Sequence, residues 1–255
     1  MDVDVIGLLL LAAAAAGWVD AVVGGGGLLL LPALLVAAPT TPVPALLGTS
    51  KLAAVFGTSS AAIAYARRVK INPRIVWPTA GLAFFGAGTG AALAGMISSA
   101  ALRPIIMVVL LAVAAVVLLR PSLGAVVDPT LQTPRRVTAA ILLAGGAVAC
   151  YDGLIGPGTG TFLIITLTLV TGMDFVAASA SAKVINTATN LGAIAVFAWN
   201  GHVLWLLGLA LAVCNVVGAQ IGARMALSRG TGFVRAVLLV VVLALVARLG
   251  WDQFA

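Results

Sequence analysis

Apolar stretches recur along the whole chain, at roughly 3–20, 27–37, 44–66, 75–97, 101–119, 137–149, 175–199, 203–223 and 233–247. Several reach the roughly 20 residues that a helix needs to cross a bilayer core. Hydrophobic residues make up 62% of the 255 and charged residues only 8%. No soluble domain of this length can hide so much apolar surface in its own core, so lipid must solvate much of it. The pattern is that of an all-α polytopic membrane protein.

The remaining composition narrows the class. The first residues, MDVDVIGLLLLAAAAAGW, carry Asp2 and Asp4 and no basic residue. A signal peptide would begin with the opposite charge, so this stretch reads as a retained first helix. Cys150 and Cys214 lie in apolar segments without zinc spacing or a disulfide framework, and read as small packing residues. The net charge of +7 comes from 14 Lys and Arg against 7 Asp, with no Glu. Apart from Lys51 and Lys183, these cations cluster at helix ends and loops, as the positive-inside rule requires, which argues against a nucleic-acid partner.

Against this apolar background, GWVDAVVGGGGLLLLPALL (17–35) places four consecutive glycines where a membrane helix would be expected to continue. CYDGLIGPGTGTFLII (150–165) echoes it. A single ungapped shift of 132 takes Asp20 to Asp152, Gly24 to Gly156 and Gly26 to Gly158. The same shift takes Lys51 to Lys183, Gly86 to Gly218, Gly90 to Gly222 and Arg103 to Arg235. The two lysines placed within apolar segments therefore coincide. The chain reads as two homologous halves, 1–120 and 137–255, joined by a polar linker over 121–136.

Each half offers a glycine-rich break and three long helices. Repeats of this kind are parallel or inverted according to the parity of crossings per half. If the chain runs straight through the break, crossings are even and loop cations divide 8 to 4 between the two sides. If it reverses there, as a re-entrant hairpin or as paired short spans, the repeats are inverted and the division is 10 to 2. The acidic termini then share the poorer side. Positive-inside bias favours the inverted arrangement, with basic loops cytoplasmic and both termini opposite.

Non-helical backbone at membrane depth is tolerated where protein or a water-filled cavity surrounds it, and such breaks line substrate sites in inverted-repeat transporters. A glycine run can instead serve close helix packing. A helix that begins after a break presents free N–H groups and a partial positive charge, which suit an anion. The candidate binding residues are Gly24, Gly25, Gly26, Gly27 and Lys51 in the first half. In the second they are Gly156, Gly158, Thr159, Gly160, Thr161, Lys183, Asn186 and Asn190. A lysine in a membrane segment is costly and points to function, although snorkelling to the interface is the other reading. Asp20 and Asp152 read as proton carriers or as charge partners of the lysines in the empty site.

These motifs resemble the TauE/SafE sulfite exporter family, also described as 4-toluene sulfonate uptake permeases. The resemblance rests on the two glycine stretches and on LLGTSKLAAVFGTSSAAIAY in the first half. In the second half it rests on ASAKVINTATNLGAIAVFAWNGHVLW and NVVGAQIGARMA. It implies a secondary transporter of sulfite or organosulfonates such as sulfoacetate, with Gly24 to Gly27, Gly156, Gly158, Gly160 and both lysines at the site. Thiosulfate transporters of related design use cysteines along their pathway, whereas Cys150 and Cys214 have Trp18 and Leu82 as repeat partners.

The leading expectation is an exporter of a small sulfur anion in the bacterial inner membrane, working by alternating access. A sulfonate importer, another small-anion carrier and an anion channel are the alternatives. An enzyme is not expected: there is one His, no Glu, no metal-ligand cluster and no Walker A loop. Neither cofactor nor metal is expected. Proton coupling and a homo-oligomer both stay open, the latter because GAGTGAALAG (86–95) can pack within or between protomers.

Overall fold

A computed structural model describes residues 3–102, 104–106, 108 and 129–254, with the backbone alone for 231, 234–236 and 238–254. The helix expected over 101–119, most of the linker and Arg103 lie largely outside the described residues. The helices are α1 Val3–Val23, α2 Gly27–Ala37, α3 Val43–Ala66 and α4 Pro73–Met96, then α5 Pro134–Leu154, α6 Thr159–Thr171, α7 Phe175–Trp199 and α8 Trp205–Phe254. A short 3-10 turn, Pro129–Leu131, precedes α5, which contains a π-helical segment at Leu143–Val148. Helix α8 is two helices joined at Gly230, whose φ of 70° and ψ of −165° are not helical. No strand occurs among the described residues.

Shifting α1 to α4 by 132 gives 135–155, 159–169, 175–198 and 205–228. These match the observed α5, α6 and α7 and the start of α8 to within a residue or two. Five of the described helices are long and apolar enough to cross a membrane. Helix α7 is as long as these but less apolar, because Ser179, Ser181, Lys183, Asn186, Thr189 and Asn190 are all buried along it. Helices α2 and α6, at 11 and 13 residues, extend roughly 16 and 20 Å, short of a roughly 30 Å core.

The chain turns back on itself at both breaks. Gly24 and its twin Gly156 have φ of 80° and 91°, values that a side chain would resist. After the first turn, a Cβ on Gly26 would lie 2.7 Å from both the Ala16 carbonyl and the Asp20 Cβ, so α2 starts folded against α1. In the second half the Tyr151 ring meets Phe162 edge-on at 5.5 Å across the break, and its hydroxyl donates to the Pro157 carbonyl at 2.5 Å.

Packing between the halves is reciprocal. Helix α1 runs along α8 as α5 runs along α4, and α3 packs on α8 as α7 packs on α4. A Cβ on Gly90 would run into the Cys150 carbonyl, and one on its twin Gly222 into the Trp18 carbonyl, Trp18 being the twin of Cys150. The small-residue face over 86–95 is thus spent within the chain, where glycines bring backbones together. Helices α3 and α7 run antiparallel. Gly48, near the start of α3, abuts Phe197 at the end of α7 and His202 in the loop just beyond it, while Ala61 and Tyr65 share a cluster with Ala180 near the start of α7. Leu8, Leu11, Phe85 and Leu206 point outward, as lipid contact allows.

Candidate functional site

Lys51 lies two turns into α3 and Lys183 at the matching place in α7, 7% and 1% exposed. A buried ammonium needs a counter-charge, because desolvation alone costs several kcal/mol per ion. The partners come from the opposite half. Lys51 Nζ lies 2.7 Å from Asp152 Oδ2, and Lys183 Nζ lies 3.3 Å from Asp20 Oδ2. The two ion pairs cross between the repeats at the depth of the glycine breaks.

The breaks also touch directly. A Cβ on Gly24 would sit 2.6 Å from Gly160 Cα, and one on Gly27 3.2 Å from Pro157 Cα. Thr161 donates its hydroxyl to the Val23 carbonyl at 2.9 Å, closing an acceptor left open where α1 ends.

Between these parts lies a cavity with about 40 Å³ open to the centres of water-sized molecules, room for a few waters or one small anion. Asp20, Gly24 and Gly27 border it from the first break, and Asp152, Gly156, Pro157, Thr159 and Gly160 from the second. Lys51 and Ser50 come from α3, Asn186 and Asn190 from α7. The first residues of α2 and α6 are therefore both in its wall, so two helix N-termini face it from opposite halves.

Not every expected residue lines this space. Gly25 meets Leu28, Val19 and Val23 instead, and Gly26 packs on α1. Gly158 caps α6 with a φ of 80°, and Thr161 serves Val23, so neither hydroxyl nor glycine there faces the cavity. The Thr159 hydroxyl lines it but donates to the Gly156 carbonyl at 2.7 Å. Asn190 spends its amide on the Asn186 carbonyl at 2.8 Å. Lys183 lies behind the wall, donating to the Asp20 carbonyl as well as to its carboxylate. Thr159, Thr161, Asn190 and Lys183 are each engaged by a nearby backbone carbonyl, as buried polar groups require.

Within these helix pairs, the sulfite exporter TauE/SafE family model matches residues 9–249. The chain belongs to the TauE/SafE family. Similar members are a probable membrane transporter protein, ORF9, of Sinorhizobium, 36% identical with 80% of this chain and 77% of that one covered. The probable membrane transporter YfcA of Escherichia coli K12 is 33% identical, covering 86% and 80%. A probable membrane transporter of Haemophilus influenzae is 31% identical, covering 81% and 80%. No solved structure matches the chain significantly. This TauE/SafE member is an integral membrane transporter.

Several site residues escape a reading of the sequence. Thr58 donates to Asp20 Oδ2 at 3.2 Å, and Tyr65 donates to the Ala21 carbonyl at 3.0 Å, together holding the end of α1. Leu31, Leu47, Ala54 and Ile155 complete the cavity wall. Thr58 is the repeat twin of Asn190, and that shared polarity was the one available signal.

Proposed function

We propose that this TauE/SafE protein is a secondary carrier of a small sulfur anion, sulfite or an organosulfonate, exporting it across the bacterial inner membrane. The observation that carries the reading is the small cavity between two broken helices, with the Lys51 ammonium and two helix N-termini in its wall. Lys51, Gly27, Gly156, Thr159, Gly160 and Asn186 are the proposed contacts. Lys183 holds Asp20 and the first break in shape. Gly24 supplies the turn.

The halves 1–120 and 137–255 form an inverted repeat in this reading, supported by the antiparallel run of the twins α3 and α7 and by chain reversal at both breaks. Basic loops then face the cytoplasm and both termini the other side. Alternating access proceeds by movement of one half against the other around the breaks. A second copy of the chain is compatible with this scheme and not needed for the site.

The test is labelled sulfite and sulfoacetate flux into proteoliposomes. Saturable flux that survives acetate competition, with half-saturation raised roughly ten- to hundredfold in Lys51→Ala, is the expected result, since a hydrogen bond to a charged group contributes about 1.5–3 kcal/mol. Resolvable single-channel conductance would mark a channel instead. Normal flux in folded Lys51→Ala would remove the site.

A further inference from the structure

The two crossed ion pairs are twins in sequence but not in wiring. Asp20 is held from several directions: Lys183 donates to its carboxylate and carbonyl, and Thr58 donates to the same Oδ2. Neither donor, Lys183 or Thr58, is in the cavity wall. Among the described residues, Asp152 has no such set of donors at its Oδ2. It is 1% exposed, and its Oδ2 lies 2.7 Å from Lys51 Nζ, yet without the alignment of a hydrogen bond, and accepts none. The residue in Thr58's place, Asn190, is engaged with Asn186.

The charge count follows. Among the described residues, Lys51 is the sole cation in the cavity wall, and Asp152 balances it. The empty site is therefore neutral, with Asp20 balanced from outside. A monoanion that takes Lys51 for itself leaves the Asp152 carboxylate buried and uncompensated. Burying one unpaired ion costs several kcal/mol, and a buried carboxylate relieves that cost by taking up a proton.

Among the described residues, the elements packed around Asp152 offer no other counter-charge. Around Asp152, α3 presents Lys51, and α4 has no charged residue beyond Arg74 at its first turn. Helix α6 has none, and the one charge of α7, Lys183, belongs to Asp20. On its own helix the neighbours are Cys150 and Tyr151, whose hydroxyl is committed to Pro157.

Resting on the anion site proposed above, we propose that Asp152 is a proton-binding site loaded together with the anion, so that one proton crosses with each monoanion. The proton comes from water to the Asp152 carboxylate as Lys51 turns to the anion. On release it returns to water and the Lys51–Asp152 pair re-forms. Transport is electroneutral, and its direction follows the summed gradients of anion and proton. Export results where the outward anion gradient exceeds the inward proton gradient.

The experiment uses the full chain in proteoliposomes and methanesulfonate, a monoanion that stays ionised near neutral pH. Wild type is expected to accumulate it about tenfold under a one-unit pH gradient, acid outside. A potential imposed by a potassium gradient should drive nothing, and uptake without a pH gradient should acidify the lumen by about one proton per anion. Whatever flux Asp152→Asn retains should ignore the pH gradient and respond to potential, while Asp152→Glu restores the pH response. Wild-type flux that follows potential and not pH overturns the proposal, and so does an Asp152→Asn variant that still accumulates anion under the pH gradient. An inactive Asp152→Asn leaves the decision to the wild-type driving forces and proton count. Absence of methanesulfonate counterflow in wild type refutes the anion site itself, a different failure from counterflow without proton movement.

Discussion

At the scale of single residues, the two lysines part company. Lys183 is almost wholly enclosed and serves both Asp20 and its backbone. Removing one partner of a buried pair strands the other charge and costs about 3–5 kcal/mol, whereas neutralising both is far milder. Lys183→Ala is therefore expected to unfold at markedly lower temperature in detergent, with most of the loss recovered in Lys183→Ala/Asp20→Asn. No recovery would mean that the pair is not what the lysine does. Glycines at the breaks differ in the same way. Gly24→Ala puts a Cβ at φ 80° and into the Gly160 backbone, and should yield little folded protein. Gly25→Ala is tight only against the flexible Leu28 side chain at 3.2 Å, with Val19 and Val23 at ordinary contact distance, and should fold and transport normally. The sequence alone makes these four glycines look alike; only the backbone path separates them.

Among the elements, the short helices α2 and α6 are the ones that depend on their neighbours. Each is shorter than a roughly 30 Å hydrocarbon core, and each begins just past the end of its predecessor, where carbonyls lack helical partners. Thr161 answers one of these across the repeat boundary. Thr161→Val keeps the shape and removes the donor, leaving the Val23 carbonyl unsatisfied at a cost of about 1–3 kcal/mol. Lower thermal stability without a change in substrate selectivity is the expected outcome, measured by unfolding and by competition. A selectivity change would return Thr161 to the binding wall, where sequence reasoning had put it. Helix bounds themselves were legible: apolar runs, the glycine breaks and the 132-residue shift give α1 to α7 within a few residues. The π-helical segment Leu143–Val148 was not, because its twin in α1 is a plain α-helix and nothing in LAGGAV announces the extra residue per turn.

Over the whole molecule, the repeat makes departures from symmetry informative. The Leu204 N–H donates to Thr49 Oγ1 at 3.0 Å, joining the loop before α8 to the start of α3. The same shift pairs Asn72 with Ser181. There no such bond forms; the Ser181 hydroxyl is buried without a partner, and a cavity of about 160 Å³ lies between them. One joint is closed and its counterpart is open. If the halves exchange roles during transport, cysteines at 49 and 204 should cross-link in one state and those at 72 and 181 in the other, with the native cysteines replaced. Substrate should shift the ratio of the two products, read by gel mobility. Equal, substrate-independent cross-linking would argue against such an exchange.

The sequence by itself determined the membrane class, the 132-residue repeat, the place of both breaks and the four charged residues that prove to be buried and paired. These follow from hydropathy, composition and one constant offset, all of which are local or one-dimensional properties. Tertiary structure alone decided that each lysine answers the other half's aspartate. It also decided that Lys51 faces the cavity while Lys183 backs it, and that Thr159, Thr161 and Asn190 serve the backbone before any ligand. The reason is that a buried polar group takes whichever partner lies within about 3 Å. Which partner that is depends on how two broken helices from distant parts of the chain come to rest against each other.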